Sequence, residues 1–178
     1  GVTQVDAGTL QLGTGSSLAS TTALIVNGGN FDLESAGGQI VSSLTGTADG
    51  TVTLGIGSNL TVNQSTDTSF AGSIGGRGGL TKTGAGTLVL AASETYTGGT
   101  TVNAGTLQFA TGGSLAPTGA LTVNGGIFDL ENGVGQTIAS LAGTGGAVTL
   151  GNGSLTVNQA TDTSFAGTIG GDGGLTKS

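Results

Sequence analysis

The sequence contains no cysteine, methionine, tryptophan or histidine, and it has one proline and one tyrosine in 178 residues. Without histidine or cysteine the chain has no ligands for a typical zinc site and no Ser-His or Cys-His nucleophile. Charged residues make up only 7%, and the three cations Arg77, Lys82 and Lys177 are isolated in a chain of net charge -7. Nucleic acid binding needs clustered basic residues, so it is not expected. No apolar run approaches ~18 residues, so no segment is predicted to cross a membrane as a helix.

Glycine is abundant, with 39 residues, but it follows no Gly-X-Y period and is accompanied by a single proline, which excludes collagen. Aromatic residues amount to 3%. A thick core built around large side chains is therefore not expected. The composition favours a thin core in which small apolar residues stack in layers, beneath a surface of Thr, Ser, Asn, Gln and Gly.

The chain is a tandem duplication. Phe31 and its neighbours recur at Phe128, 97 positions later, and Phe70 recurs at Phe165, 95 positions later. The sequence predicts one continuous solenoid, in which residues 1–97 form a first long repeat and residues 98–178 form a second, incomplete one.

A finer repeat lies within each long repeat, because apolar residues return in pairs after roughly 18 to 21 residues, with a residue between them that is polar except at Val89. One such coil cannot bury its own apolar face, so neighbouring coils must stack on it. The inward positions that form the expected structural core are Leu10, Leu12, Phe31, Leu33, Val52, Leu54, Leu88, Leu90, Leu107, Phe109, Phe128, Leu130, Val148 and Leu150. The polar residues between them, such as Gln108, are expected to face water.

This period predicts an all-β parallel β-solenoid (β-helix) of about nine coils of roughly 18–21 residues, ~43 Å long at ~4.8 Å per coil. An antiparallel sandwich would also show alternating strands and frequent turns. Equivalent strands recur here with the same direction and the same face pattern, and that favours parallel coils over the sandwich.

Residues 80–90 read LTKTGAGTLVL and residues 94–108 read ETYTGGTTVNAGTLQ. The two runs closely resemble the passenger-associated transport repeat, also called the autotransporter-associated β-strand repeat. Partial copies occur at residues 5–12 and 173–178. The resemblance implies a right-handed parallel β-helix in the passenger region of a bacterial type V secreted protein, located extracellularly at the cell surface.

Several acidic positions were considered as reactive groups. Asp67 and Asp162 each begin an Asp-Thr-Ser run, as in aspartic proteases, but such a dyad needs carboxylates about 3 Å apart, and stacking separates them by about five coils. Outward pairs of acids are expected to be solvated surface; these are Asp32 with Glu34 and Asp129 with Glu131.

Two glycine- or threonine-rich patterns also suggest ligands. The run at 170–174 resembles calcium-binding nonapeptides, yet Asp172 is replaced by Arg77 in the other copy, so calcium is not favoured. The threonine pairs Thr51/Thr53, Thr81/Thr83 and Thr100/Thr101 do not recur at one phase, so the regular Thr-x-Thr ladder of ice-binding β-helices is not expected. No catalytic, cofactor-binding or metal residue, and no cofactor, is predicted.

The sequence therefore predicts a structural segment, a stalk or fibre that supports display, secretion or surface assembly. The alternative is an adhesin that binds surface glycans or associates with like molecules between cells; a lone tyrosine, Tyr96, weakens the case for sugar stacking. An enzyme such as a polysaccharide lyase needs acids and cations in one groove and is not expected. Because neither end resembles a polar cap, the segment is expected to continue into neighbouring repeats or to stack end to end with identical copies.

Overall fold

A computed structural model describes residues 1–34, 36–130 and 135–178. These described residues form 22 short β-strands and no helix. The strands, in chain order, are β1 Val2–Val5, β2 Thr9–Gln11, β3 Ala23–Val26, β4 Asn30–Asp32, β5 Gln39–Val41, β6 Ser43–Thr45, β7 Thr51–Leu54, β8 Asn59–Asn63, β9 Thr68–Phe70, β10 Ser73–Gly76, β11 Gly79–Thr83, β12 Thr87–Leu90, β13 Thr100–Val102, β14 Thr106–Phe109, β15 Ala120–Val123, β16 Ile127–Asp129, β17 Gln136–Ile138, β18 Ser140–Ala142, β19 Ala147–Thr149, β20 Ser154–Val157, β21 Thr168–Gly170 and β22 Gly174–Lys177.

All the strand pairs are parallel, and each strand pairs with its counterpart in the next coil. Register partners lie 21 residues apart at Val2 and Ala23, and 19 apart at Thr87 and Thr106. The five sheets have the orders β1-β3-β6, β10-β7-β4-β2, β18-β15-β13-β11-β8-β5, β21-β19-β16-β14-β12-β9 and β17-β20-β22. The predicted all-β parallel solenoid of about nine coils is thereby confirmed.

The core consists of columns of apolar side chains that run through successive coils. Leu88 pairs with Leu107, Leu107 with Phe128, and Phe128 with Val148, and all four are at most 1% exposed. The ring of Phe109 meets that of Phe128 edge-on, with centroids 5.5 Å apart. Because like residues stack on like, each coil covers the apolar face that its neighbour leaves open.

The structure places two of the fourteen expected core residues differently from the rest. Leu10 is 38% exposed and Leu12 is only half-buried, because β2 is the outermost strand of its sheet and Phe31 covers Leu10 on one side alone. The buried residues of the set are Phe31, Leu33, Val52, Leu54, Leu88, Leu90, Leu107, Phe109, Phe128, Leu130, Val148 and Leu150.

Glycine shapes the corners between strands. In the part of the chain that the structure describes, every residue with a positive φ is a glycine. Gly105, which joins β13 to β14, has φ 63°, and a Cβ there would lie 2.3 Å from the carbonyl oxygen of Gly84 in the preceding coil. Only glycine satisfies both conditions, because other residues avoid this conformation and carry a Cβ.

Candidate functional site

The outer face of the sheet formed by β5, β8, β11, β13, β15 and β18 has one threonine at the same register position in four successive coils. Thr61 pairs with Thr81, Thr81 with Thr101, and Thr101 with Thr122, and each is half-buried. Neighbouring strands lie ~4.8 Å apart, so the hydroxyls form a regular row. This single row was not predicted, because the expectation concerned pairs of threonines; two residues further along each strand the residues are Asn63, Thr83, Asn103 and Asn124. A comparison of threonine pairs does not reveal this row, because each strand contributes a single outward threonine to it.

Amide and hydroxyl side chains flank this row on the same face. Asn124 Nδ2 donates to Asn103 Oδ1 over 2.9 Å, and Asn59 Nδ2 donates to Thr81 Oγ1 over 2.9 Å. These side chains hold one another in place across coils. We call the surface the hydroxyl face and define it by the residues Thr61, Thr81, Thr101, Thr122, Asn63, Thr83, Asn103 and Asn124.

The hydroxyl face carries no charge. Among the six strands of this sheet the one charged residue is Lys82, and its side chain points inward. Hydroxyls and amides can exchange hydrogen bonds with neutral polar partners, but at ordinary pH they neither donate nor accept protons as an acid or base does. The chemistry available here is therefore recognition of a neutral surface rather than proton transfer.

Lys82 lies fully buried within a column of valines, between its register partners Val62 and Val102. Its Nζ donates to three main-chain carbonyls, of Thr83 at 2.7 Å, Gly84 at 2.9 Å and Ala104 at 3.4 Å. Burial lowers the pKa of this ammonium group to about 8, opposed by the charge of Asp67. From the sequence, Lys82 was identified only as an isolated cation. It lies two residues after the inward Leu80 in the same strand, and this spacing indicates that it also points inward.

Lys82 is expected to resist acylation in the folded chain, whereas Lys177, its exposed counterpart in the second long repeat, reacts freely. The reagent reaches Lys82 only after local unfolding, so acylation of Lys82 should be at least about tenfold slower than acylation of Lys177. Brief treatment with an acetylating reagent at neutral pH, followed by mass spectrometry of peptides, measures both sites. In enough urea to unfold the chain the two rates should become similar, and equal rates without urea would contradict the burial of Lys82.

The aspartates of the expected solvated pairs are in fact buried. Asp32 is 9% exposed, and it accepts hydrogen bonds from Gln11 Nε2 and from the Glu34 main-chain N–H, both 2.8 Å. Asp129 is 7% exposed and accepts from Gln108 Nε2 at 2.7 Å. Asp32 thus ties a corner to the strand of the preceding coil, and Asp129 bonds to the strand of the preceding coil.

The glutamates of these acidic pairs, and Gln108, have different outcomes. Glu34 is exposed, as expected of a surface acid, and Glu131 lies outside the described residues. Gln108, expected to face water, is half-buried because it contacts Asp129. The alternation of the strands predicts on which side these residues lie, but the hydrogen bonds that bury them cannot be read from the period.

A buried polar group lies in the segment that precedes β13. The Tyr96 hydroxyl and Thr100 Oγ1 share a hydrogen bond of 2.6 Å, and burial raises the pKa of Tyr96 above its ordinary value. Glu94 is 2% exposed, and its Oε2 accepts a hydrogen bond from the main-chain N–H of Ile74. No role for Glu94 was predicted from the sequence, although its alternation with Tyr96 places both residues on the inward side.

A surface cavity of about 380 Å³ lies beside the corner that follows β7. Its lining combines Glu34, Arg77 and the side chain of Ile56, which is 75% exposed, with Leu54, Gly55 and Gly76. One carboxylate and one guanidinium are the charged groups of this lining. Among the lining residues that the structure describes there is neither a nucleophile with an adjacent base nor a second acid, which hydrolysis of a glycosidic bond requires.

Acidic residues do not gather into a metal site among the described residues, where no three of them are placed to hold an ion. Asp67 Oδ1 instead accepts a hydrogen bond from the main-chain N–H of Thr87 in the next coil, at 2.7 Å. Within the same described ranges, no helix is long and apolar enough to cross a membrane.

The passenger-associated transport repeat family matches residues 80–109, which confirms the resemblance seen in the sequence. These residues span β11 to β14, which are inner strands of the two six-stranded sheets. The chain is also 45% identical over 97 residues to the protein named "Adhesin BmaC autotransporter" of Brucella suis biovar 1 (strain 1330). The match covers 54% of this chain and 3% of that much longer protein. No solved structure matches the chain.

Proposed function

We propose that this chain is a structural segment of an autotransporter passenger region, exported to the bacterial cell surface, where it acts as a rod that holds other parts of the protein away from the membrane. One observation carries the proposal: the coils that match the transport repeat stack in register with coils that do not. A single rod therefore accommodates both kinds of coil. In this proposal the long repeats 1–97 and 98–178 form one continuous solenoid.

The role is mechanical and non-enzymatic. The uncharged hydroxyl face offers no acid or base, the surface cavity is lined by one carboxylate and one guanidinium, and the buried groups Lys82 and Glu94 are engaged with the main chain. A stack of parallel strands with continuous apolar columns resists bending, because every coil is bonded to both neighbours along its strands. Such a segment is suited to extending away from the membrane and to remaining folded.

Joining two copies of the chain tests the rod. Gly1 aligns with Gly98 and Ser178 with Thr83, so a copy of residues 84–97 between two chains restores the repeat. Displayed between an epitope and an autotransporter anchor on bacteria, the joined pair should raise the epitope by ~50 Å over a single copy, the length of about ten coils at ~4.8 Å each. Atomic force microscopy of outer-membrane sheets measures the height.

The control replaces residues 84–97 of the junction with a Gly/Ser linker of the same length. A flexible junction should leave the height poorly defined, because a random coil does not transmit direction. If the in-register pair is no taller than the single copy, or if the displayed chain is degraded by protease as an unfolded chain would be, the rod proposal is wrong.

The hydroxyl face supports a second candidate function, adhesion to surface glycans or to like molecules on other cells. Beads coated with the chain should then cluster, or should be retained on immobilised polysaccharide. Thr81→Glu combined with Thr101→Glu would place two charges at the centre of the face, where a neutral partner would have to desolvate them. Thr137→Glu, at an exposed position of β17 outside this face, is the matched control. Clustering lost only in the Thr81 and Thr101 variant supports adhesion, and an absence of clustering in the unaltered chain leaves the rod function alone.

A further inference from the structure

Three buried side chains make the same hydrogen bond to the coil that precedes them. The Oε1 atoms of Gln39 and Gln136 accept from the main-chain N–H groups of Leu18 and Leu115, 21 residues earlier, at 2.8 Å in both cases. The Oε2 atom of Glu94 accepts from the N–H of Ile74, 20 residues earlier. All three residues begin a segment with the burial order buried, exposed, buried. Glu94 therefore occupies a position that glutamine occupies elsewhere in the stack.

Glu94 differs from Gln39 and Gln136 in the second polar atom of its side chain. Gln39 Nε2 donates to the carbonyl of Ser16 at 3.0 Å, and Gln136 Nε2 donates to the carbonyl of Gly113 at 3.1 Å. In both cases this carbonyl is two residues before the N–H donor. The corresponding atom of Glu94, Oε1, is buried and has no hydrogen-bond partner among the described residues. By the same spacing, the main-chain carbonyl that would face it is that of Gly72.

A carboxylate oxygen only accepts hydrogen bonds, so an ionised Glu94 cannot donate as the glutamine amides do. A neutral carboxylic acid has one O–H and supplies both functions, accepting at one oxygen and donating from the other. We propose that Glu94 is protonated in the folded chain, where its O–H replaces the N–H of a glutamine amide, and that its ionisation is a pH-sensitive switch that loosens this coil. This inference goes beyond the proposed rod function and does not depend on it.

The surroundings of Glu94 favour the neutral form. Strand β10 of the preceding coil contributes Ser73–Gly76, none of them titratable, and the following coil meets Glu94 at Ser114, whose carbonyl accepts the Glu94 N–H at 2.7 Å. On its own segment the titratable neighbour is Tyr96, itself buried and neutral. Arg77, which follows β10, lines the surface cavity with Glu34. Burial raises the pKa of Glu94 to about 8, partly opposed by the hydrogen bond from Ile74.

The sign of the effect on stability follows from this shift. The folded chain holds the Glu94 proton more tightly than the unfolded chain, whose glutamate has its ordinary pKa of 4.5. The contribution of Glu94 to stability is therefore full below about pH 4.5 and is lost as the pH rises to about 8.

Urea unfolding of the unaltered chain and of Glu94→Gln, followed from about pH 4 to pH 9, tests the inference. The two midpoints should coincide at the acidic end, and the variant should unfold at a higher urea concentration at the alkaline end. The converse variant Gln136→Glu should acquire a loss of stability over the same pH range. Parallel pH profiles for the unaltered chain and Glu94→Gln would overturn the proposal.

A direct titration keeps the inference testable if a variant fails to fold. The sequence has three glutamates, Glu34, Glu94 and Glu131. Carbon-13 NMR of a chain labelled at the glutamate carboxyl should show one signal that titrates near pH 8, more than three pH units above an ordinary glutamate. If all three carboxyl signals titrate below about pH 5, Glu94 is ionised in the folded chain and the switch does not exist.

Discussion

Replacing Leu107 with alanine is expected to destabilise the chain by about 2–5 kcal/mol, the range for a buried leucine that leaves a cavity. Leu107 is fully buried and lies between Leu88 and Phe128 in the apolar column of three successive coils. Its loss removes contacts with both neighbours, and the strands above and below cannot move together because their main-chain hydrogen bonds fix the spacing. Urea unfolding at one pH measures the change.

Leu10 provides the matched control, because it occupies the same place in the first long repeat, within the same Ala-Gly-Thr-Leu-Gln run. It is 38% exposed, and its strand has one neighbour in the sheet, in which Phe31 is its register partner. Leu10→Ala should therefore cost about 1 kcal/mol or less, since part of its surface already contacts water. Equal losses for the two alanine variants would mean that stacking from both sides does not determine the stability of these columns.

The period of the apolar residues was sufficient to predict the fold. A pattern that returns after every coil fixes the strand positions, the parallel direction and the inward columns at once, because identical strands stack only in one register. The strands Thr87–Leu90 and Thr106–Phe109 lie where the alternation placed them. Residues at an edge, such as Leu10, depart from the pattern because burial depends on the next coil as well as on their own strand.

The polar interior was not predicted, and the reason is physical. Alternation shows which side a residue takes but not whether a polar residue on the inward side finds partners there. Lys82 is stable inside because three carbonyls surround its ammonium group, and those carbonyls belong to corners in two different coils. Glu94 likewise depends on an N–H group of the preceding coil. Ile74 lies 20 positions from Glu94 and Ala104 lies 22 positions from Lys82, so only the three-dimensional stack reveals these partners.

The candidate binding surface was missed for a related reason. The row of Thr61, Thr81, Thr101 and Thr122 has spacings of 20, 20 and 21 residues. The chain from Thr101 to Thr122 is one residue longer than the chain between the earlier pairs, so a fixed period of 20 residues loses the row at that point. The hydrogen bonds between strands set the register, and the extra residue lies in the segments that connect the strands.

The second large effect is expected at a glycine. Gly78→Ala should destabilise the chain by about 3 kcal/mol or more, at or above the upper end of the usual cost of overpacking. A Cβ at Gly78 would lie 1.9 Å from the carbonyl oxygen of Ser58 and 2.7 Å from the Cβ of Leu54. The equivalent glycine of the second long repeat, Gly173, has the same environment, with a backbone oxygen 1.8 Å from the position of a Cβ.

Ser58 cannot move aside to admit the extra carbon. Its carbonyl accepts the N–H of Gly79 at 3.1 Å, its own N–H donates to Gly55 at 3.0 Å, and its Oγ donates to the carbonyl of Leu33 at 2.7 Å. Displacement of this corner would break bonds to the coils on both sides. The methyl group must therefore push the stacked coils apart and weaken the apolar columns beside them.

Gly13→Ala is the control, because a Cβ at Gly13 meets nothing closer than Ser16 Oγ at 3.9 Å. Neither Gly13 nor Gly78 has a positive φ, so the comparison isolates contact between coils from backbone conformation. Gly13→Ala should be neutral or should stabilise the chain by up to about 1 kcal/mol, because alanine restricts the unfolded state. Similar midpoints for the two variants would show that the coils do not approach so closely.

A large difference would show why the sequence is rich in glycine: corners stacked at the strand spacing of ~4.8 Å leave no room for side chains between their backbones.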